Sequence, residues 1–469
     1  GPGSAFGTQE LEAFPSITRD IRDVIRIDPR VSLELENNVD RISCLGGNDR
    51  SNTFTVDGII QADVFGLNGQ PFGARNNLPL PFDAIEQTSV EFAPFDVEYS
   101  EFTGCLINVV TKGGTNEFRG SAFITYFDGG LQNDEVVQAN GTSEPINAGQ
   151  EKRWGATLSG PIFKDRLFFS FGYEEIELAG GVNDAPFGAG FGQPDLGVTL
   201  DDFNRFSEIA REVYGQDPGP IATSIPETSV RYFGRLDGQI NDDHRVVLTY
   251  QRLEESNVEE DTPTGGFSGL NSFEDEGTIS NFYSGQIYSQ WTDSVSTELR
   301  VSRAEVADQQ GPVGFDEATG PNPQPRLIVG TPNLPAAGDP DPAIPGGRNG
   351  QLLSGPGFSR TANDLRTKID QARFIINVDA GSGHNIKLGA ELNDLEVFNL
   401  FVQDATGTLF FQNLDDFENG LIAGGNLTNT NSNNLVGNRT VGATIRGARD
   451  FEITNAAASF SRQIWSFFA

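Results

Sequence analysis

Basic residues are scarce in this chain. The 469 residues include 66 Asp and Glu against 32 Lys and Arg, which gives a formal net charge of −34. Nucleic acids and anionic membrane surfaces attract clusters of Lys and Arg, and the sequence has no such cluster. We therefore expect no nucleic-acid partner.

Long apolar runs are absent as well. No stretch approaches the 18 consecutive apolar residues that mark a transmembrane helix. A membrane β-barrel stays open, because its strands alternate apolar and polar residues and keep the average hydropathy low. The chain also lacks methionine and an N-terminal signal peptide, so we expect an internal piece or a processed product of a longer protein.

Residues that carry chemistry are few. The two histidines, His244 and His384, each follow a short turn and have no metal-ligand spacing around them, so we interpret them as turn residues at the barrel rim. The sequence GFSG at 266–269 lacks the spacing of a nucleophile elbow, and no glycine-rich phosphate loop occurs. We predict no enzyme, no catalytic residue, no metal site and no cofactor.

Glycine (55) and phenylalanine (36) are abundant, and from residue 117 onward the chain alternates apolar and polar residues. Leu167, Phe169, Phe171 and Tyr173, for example, alternate with Ser170, Gly172 and Glu174. The alternation predicts ten strands, near residues 117–127, 151–161, 165–176, 228–240, 244–254, 279–292, 294–305, 365–379, 384–398 and 455–469.

The connections between these strands alternate in length. Short turns are predicted at 161–165, 240–243, 292–294 and 380–383, and long polar segments at 128–150, 177–227, 255–278, 306–364 and 399–454. Outer-membrane barrels have short turns at one rim and long loops at the other, whereas a β-sandwich has no reason for this segregation. The pattern favours a transmembrane antiparallel β-barrel over a sandwich.

The N-terminal part has a different, mixed α+β pattern. Ile17, Ile21, Val24, Ile25 and Ile27 form one face of a predicted helix that ends before Pro29. Strands are predicted at Thr53–Val56, Ser89–Phe92 and Leu106–Thr111, with a short helix or turn at Ala84–Gln87. Residues 94–124 form the junction between this unit and the strands that follow.

Three segments resemble the TonB-dependent outer-membrane receptors, and in particular their Oar-like (OmpA-related) branch. The segments are GGNDRSNTFTVDGI, PFDAIEQTSVEFAPFDVEYSEFTG and INVVTKGGTNEFRGSAF. The resemblance implies a mainly β fold in which an N-terminal α+β plug lies inside a barrel of about 22 strands. Residues 1–113 would be the plug, and 117–469 about the first ten barrel strands.

The resemblance also implies a function. A ligand would bind at the extracellular mouth, and the TonB complex on the periplasmic side would displace the plug to import it. Lys112, Gly113, Gly114, Thr115 and Asn116 would be the hinge between plug and barrel. The plug loop would face the ligand (an oligosaccharide, a peptide or a chelate) through Phe65, Asn68, Gln70, Phe72, Arg75, Asn76 and Asn77; a plain structural loop is the alternative.

Two other functions remain open at this stage. Relatives of the Oar type are linked to adhesion and protein export, and long acidic loops suit a macromolecular partner as well as a small ligand. A soluble β-rich binding module is the third hypothesis. Outer-membrane lipids are expected partners of the first two, and the cell outer membrane of a Gram-negative bacterium is the expected location.

Cys44 and Cys105 are the only cysteines, and both lie in the predicted plug. A domain that faces the periplasm is assembled under oxidising conditions, which favours a disulfide over two buried free thiols. Closing a loop of about 60 residues would stabilise the fold by roughly 4 kcal/mol.

Three further features have competing interpretations. Trp154, Tyr173, Tyr232, Tyr250, Tyr288 and Trp291 lie near strand ends, as interfacial aromatic girdles do, although strand propensity alone also explains them. The acidic runs 257–261 and 273–277 suit a solvated loop better than a calcium site. The third is an apolar stripe, Leu200, Phe203, Phe206, Ile209 and Val213, which predicts a helix with Asp201 or Asp202 and Gly215 as caps. We expect this helix to pack over the barrel mouth, and a partner-docking role is the alternative.

Overall fold

The computed structural model describes residues 3–14, 16, 18–36, 39–61, 74, 78–92, 104–131, 135–137, 141, 143–145, 149–182, 184–191, 197–262, 266–331, 350–422 and 455–469. The first elements along the chain are β1 (Gly3–Gly7), α1 (Thr8–Ala13), α2 (Ile21–Ile25), β2 (Val31–Glu36), β3 (Val39–Cys44), β4 (Thr53–Val56), β5 (Ile59–Ile60), β6 (Ile85–Phe92) and β7 (Cys105–Thr111). We call this unit the plug. Its main sheet has the order β1-β6-β7-β4-β5. Strands β4 and β7 are parallel, and the other pairs in this sheet are antiparallel.

The plug has an apolar core, which Phe233 and Leu253 from farther along the chain also join. Ile21, Val24 and Ile25 of α2 are fully buried in it, as the helical periodicity predicts. Ile27 is 40% exposed, so its place on this face was wrong: the helix ends at Ile25 and the chain turns away before Pro29. The predicted helix or turn at Ala84–Gln87 is instead a 3₁₀ turn over Phe82–Ala84, after which β6 begins at Ile85.

Ten strands form one antiparallel sheet around the plug, and each corresponds to a predicted strand. They are β8 (Arg119–Phe127), β11 (Gln150–Phe163), β12 (Leu167–Gly181), β13 (Ser224–Asn241), β14 (His244–Glu259), β16 (Glu274–Thr292), β17 (Val295–Pro312), β20 (Asn363–Asp379), β21 (Asn385–Phe401) and β23 (Ala458–Phe468). Along the sheet, each strand is bonded to the next of these strands in the chain. The fold is therefore part of a transmembrane antiparallel β-barrel with an N-terminal α+β plug.

The two faces of this sheet differ in polarity. Leu236, Leu248 and Leu388 are 40%, 49% and 43% exposed on the outer face. Glu174 and Arg231 are each 1% exposed on the inner face, where the plug covers them. Apolar side chains outside and polar side chains inside are the pattern of a barrel wall in a lipid bilayer.

The remaining strands lie in the long connections. A small hairpin joins β9 (Glu135–Val137) to β10 (Ser143–Pro145). A four-stranded sheet of order β15-β19-β18-β22 comprises β15 (Gly266–Ser268), β18 (Arg326–Gly330), β19 (Gln351–Ser354) and β22 (Thr408–Phe411). Helices α3 (Leu200–Tyr214) and α4 (Leu414–Glu418) share its apolar core, and we call this unit the loop domain.

Helix α3 has the predicted end at Gly215, which adopts the left-handed conformation at φ 67°. Its N-cap is Thr199 rather than Asp201 or Asp202, because the Thr199 hydroxyl bonds the backbone N–H of Asp202 and the Asp202 carboxylate bonds back. Phe203, Phe206 and Ile209 are buried, whereas Val213 is 53% exposed and does not belong to the stripe.

No helix in the described part of the chain has the length and apolar character needed to cross a membrane.

Candidate functional site

The interface between plug and barrel wall is the candidate functional site. Its first component is the segment between the plug and β8. The backbone N–H of Lys112 donates to the carbonyl of Ala84 at 2.8 Å, so the segment starts on the plug. Asn116 and Asp165 join its far end to the short turn between β11 and β12. The five predicted hinge residues therefore connect a plug anchor to a barrel anchor.

Gly114 lies against the barrel wall within this segment. A Cβ atom at this position would lie 2.5 Å from the Phe169 carbonyl oxygen and 2.7 Å from the Phe168 Cβ. At Gly113 the nearest atom to such a Cβ is the Asp237 Oδ2, the end of a side chain, at 3.1 Å. Only glycine fits at 114 without movement of the wall, because the obstructing atoms there include backbone.

A buried ion-pair cluster joins the start of the plug to strands β12 and β13. Arg19 contacts Asp83 at 2.7 Å and the Glu174 carboxylate at 3.4 Å, and Arg231 contacts the same Glu174 oxygen at 3.4 Å. Glu174 also accepts the backbone N–H of Phe82 at 3.0 Å. One wall carboxylate thus binds two parts of the plug.

Aromatic and backbone contacts extend this cluster. The Arg19 guanidinium lies 3.5 Å from the centroid of the Phe123 ring on β8, a cation–π geometry. Arg153 of β11 donates to the Thr18 carbonyl at 2.8 Å. Three neighbouring wall strands therefore hold the same plug segment.

A second polar contact lies between the turn after β4 and strand β13. Asp57 accepts the backbone N–H of Thr111 at 2.9 Å and its hydroxyl at 2.7 Å. Arg235 donates to the Thr111 carbonyl at 2.9 Å and pairs with Asp237 at 2.8 Å. Burial raises the pKa of Asp57, and the nearby Arg235 opposes that rise.

Farther along the sheet, strands β16, β17 and β20 contact uncharged backbone groups of the plug. The Ile60 N–H donates to the Gln371 Oε1 at 3.2 Å. The Asp57 carbonyl accepts from Gln286 and from Arg300, each at 3.4 Å. These contacts are long hydrogen bonds to the plug backbone, whereas the contacts of β12 and β13 are made by buried charged side chains.

A disulfide ties the end of the plug to its middle. The Sγ atoms of Cys44 and Cys105 are 2.06 Å apart, and their Cα atoms are 6.0 Å apart. Cys105 is the first residue of β7, the strand that leads into the hinge segment. The bridge therefore fastens the plug strand that precedes the hinge to β3.

The predicted ligand-facing residues Phe65, Asn68, Gln70, Phe72, Arg75, Asn76 and Asn77 lie outside the described residues. His244 lies at the short-turn end of β14, with its ring 4.9 Å from that of Trp291. Asp261 and Glu276 of the acidic runs bind loop-domain groups: Asp261 accepts the Ser359 N–H at 3.0 Å, and Glu276 pairs with Arg360. Within the described ranges, no cluster of three metal-ligating side chains occurs.

Several of the predicted girdle aromatics form contiguous pairs on the wall. The Trp154 and Tyr173 rings lie 4.9 Å apart, and the Tyr173 and Tyr232 rings 5.2 Å apart. Tyr288 is not a girdle residue, because it lies on the inner face, where its hydroxyl bonds the buried Gln286 and its ring contacts Arg245.

Sequence reasoning missed the ion-pair cluster. The alternation does place Arg231, Arg235 and Asp237 on one face of β13. Charged residues on the inner face of the wall could have indicated a polar contact with the plug. Their partner Glu174 lies 57 residues before Arg231, and no pattern in the sequence pairs them.

Comparison with known proteins tests the resemblance. A family model described as "Outer membrane beta barrel domain" matches residues 110–185. The TonB-dependent transporter Oar of Myxococcus xanthus is 29% identical over 243 residues, which are 49% of this chain and 20% of that protein. The chain is a relative of the TonB-dependent outer-membrane receptors. The matches also place it in the outer membrane of a Gram-negative bacterium.

Solved structures share the fold of this chain. The outer membrane transporter YddB of Escherichia coli matches with a TM-score of 0.61 at 11% identity, over 87% of this chain and 50% of that chain. A ferric enterobactin receptor, PfeA, of Pseudomonas aeruginosa matches with a TM-score of 0.51 at 15% identity, over 84% and 49%. The chain thus spans about half the length of these structures and a fifth of Oar.

Proposed function

We propose that this chain is the plug and wall portion of a receptor that imports a ligand across the outer membrane, driven by the TonB complex. The observation that carries the proposal is the interface itself. The plug is held to the wall by hydrogen bonds and ion pairs around Glu174 and Arg235, by a short linking segment, and by an apolar contact limited to a few side chains such as Phe233 and Leu253. Polar contacts of this kind re-form with water when the plug moves, whereas a large apolar interface does not.

The proposed domain boundaries give the plug and the barrel different roles. Residues 1–113 move as the plug, and 117–469 form part of the fixed barrel. Gly113 and Gly114 provide the bend, since Asn116 is bound to the wall through Asp165. The energy comes from the TonB complex on the periplasmic side, so the chain needs no nucleotide site.

The ligand would reach the plug through the mouth. The loop that contains Phe65, Asn68, Gln70, Phe72, Arg75, Asn76 and Asn77 would face it, with amide and aromatic groups for an oligosaccharide, a peptide or a chelate. Outer-membrane lipids would contact the apolar outer face of the wall, where Leu248 and Leu388 are exposed.

An engineered lock tests the import proposal. A Cβ at Gly172 of β12 would lie 3.5 Å from the Cβ of Ala84 in the plug, which is the spacing of a disulfide. The Ala84→Cys/Gly172→Cys pair in the full-length receptor should abolish TonB-dependent uptake when oxidised and restore it when reduced. Each single variant is the control, as is the wild type under reductant, because reductant also opens the Cys44–Cys105 bridge. Normal uptake with the lock closed would contradict import by plug displacement.

A role in surface adhesion or protein export is the second candidate. The loop domain favours this role, because Phe206, Leu327 and Phe417 form a packed core within the long connections. This unit is therefore more than a set of flexible loops. Deletion of residues 313–362, within the predicted loop 306–364, removes β18 and β19 and leaves the wall strands β17 and β20 intact. Loss of cell-surface contact or export with uptake unchanged would favour this candidate over import.

A soluble binding module finds less support. Leu236, Leu248 and Leu388 of the outer face lie in a band of exposed apolar side chains, which a soluble module would leave in water. A full-length protein that stays monomeric without detergent would favour the module.

A further inference from the structure

A cavity of about 570 Å³ lies between the plug and the inner face of the wall. On the plug side it is lined by the turn at Asp57 and Gly58 and by β5. On the wall side it is lined by Arg235 of β13 and by β14, β16, β17, β20 and β21, near the ends of these strands that meet the short turns. Its volume lies within the range of about 300 to 1,000 Å³ that ligand sites occupy.

The charges on this wall are paired with one another. Arg300 pairs with Glu298, and Arg373 lies 3.9 Å from Glu391. Arg245, also in the lining, pairs with Asp237 at 3.0 Å. The lining as a whole combines apolar side chains with five basic and four acidic ones, so it has no large excess of either sign that would select a charged ligand.

Two amide groups in the lining have atoms without a hydrogen-bond partner among the described residues. Asn393 is 5% exposed, and its Oδ1 is unpaired although its Nδ2 donates to Glu391 at 2.8 Å. The Nε2 of Gln371 is also unpaired, while its Oε1 accepts from Ile60 and from Ser302. One free acceptor and one free donor thus line the same cavity.

We propose that this cavity is a transit site for a neutral, hydroxyl-rich ligand, an oligosaccharide segment. A hydroxyl group both donates and accepts, so the same ligand group satisfies either the Asn393 Oδ1 or the Gln371 Nε2. Tyr288 adds an aromatic ring to the lining, against which the apolar face of a sugar packs. The proposal rests on the import function, because the site lies between the plug and the wall.

Binding to the full-length receptor in detergent tests the site. The probes are maltotriose, cellotriose and chitotriose, measured by saturation-transfer NMR and titrated to saturation. At least one should bind saturably, and Asn393→Leu and Gln371→Leu should each weaken it about tenfold, since each removes one hydrogen bond to a buried group. Asn393→Ser, which keeps a hydroxyl acceptor, should retain most of the affinity.

Gln251→Leu is the matched control. Gln251 is 2% exposed on the inner face of β14, its Oε1 is also unpaired, and it does not line the cavity. No saturable binding of any probe, or equal loss in Gln251→Leu, would overturn the site. Binding does not require the TonB complex, so it is measured independently of uptake. Saturable binding to a receptor that shows no uptake would contradict the import function but not the oligosaccharide site.

Discussion

Asn116 and Asp165 bind each other through a reciprocal pair of hydrogen bonds. The Asn116 side chain donates to the Asp165 carboxylate at 2.6 Å, and the Asp165 backbone N–H donates to the Asn116 side-chain oxygen at 2.8 Å. The last residue of the predicted hinge is thereby fixed to a turn of the wall. Any bending is left to the residues before it, and Gly113 and Gly114 have no side chain to obstruct it.

Gly114→Ala should therefore destabilise the seating of the plug. The added methyl group meets the Phe169 carbonyl, so we expect a loss of about 1–3 kcal/mol, as for an overpacked site. Gly113→Ala is the matched control, because the nearest atoms to its methyl group are the side-chain ends of Asp237 and Arg235, at 3.1 Å or more, rather than backbone. Thermal denaturation of the full-length receptor measures both, and equal midpoints would contradict the account.

Glu174→Gln should loosen the plug more than any surface change. It removes the carboxylate that pairs at 3.4 Å with Arg231, which is 1% exposed, and breaking a buried pair costs about 3–5 kcal/mol. Limited proteolysis of the plug measures the effect. Adding Arg231→Leu to the Glu174→Gln variant should restore part of the lost resistance to proteolysis. Arg205→Ala, in an exposed loop-domain pair with Asp415, is the control and should leave proteolysis unchanged. A plug equally resistant in Glu174→Gln would refute the role of the cluster.

The disulfide should be present in the receptor purified without reductant. Alkylation followed by intact-mass measurement should then give no adduct, and two adducts after reduction. Cys44→Ser/Cys105→Ser should lower the free energy of unfolding by roughly 4 kcal/mol, from the entropy of the closed loop. Two blocked thiols in the unreduced protein would show that the bridge does not form.

The segment between β17 and β18, which contains Glu317, should hold the start of β20 more stably at pH 5.5 than at pH 7.5. Burial raises the pKa of Glu317 to about 7, so the folded state holds a proton that the unfolded state releases from pH 4.5 upward, and stability falls as the pH rises through this window. Hydrogen exchange of β20 near Asn363, whose N–H Glu317 accepts, measures this after correction for intrinsic rates. Glu317→Gln should flatten the dependence; an unchanged slope would exclude Glu317 as its source.

The wall was predictable because its signal repeats. Several strands alternate apolar and polar residues along their length, and the short turns indicate where the chain reverses. The bounds of the strands were predicted less accurately at the ends that meet the long connections. Strand β16, for example, begins at Glu274, five residues before the predicted start, because polar residues occupy both of its faces beyond the apolar band.

The loop domain was not predictable beyond α3. Its strands β15 and β19 have three and four residues and pair in parallel across a long sequence separation. Runs this short have no measurable period, and a lone apolar run does not indicate its partner. The contact of Arg19 with Glu174, 155 residues apart, is beyond sequence patterns for the same reason.

Accessibility of a single cysteine tests plug displacement most directly. In Gly172→Cys the thiol lies against Pro81 and Ala84 of the plug, which cover it. In cells that express the full-length receptor, a thiol reagent should label it faster when the TonB complex is energised and ligand is present than in cells without TonB. A labelling rate that does not depend on TonB would contradict the account.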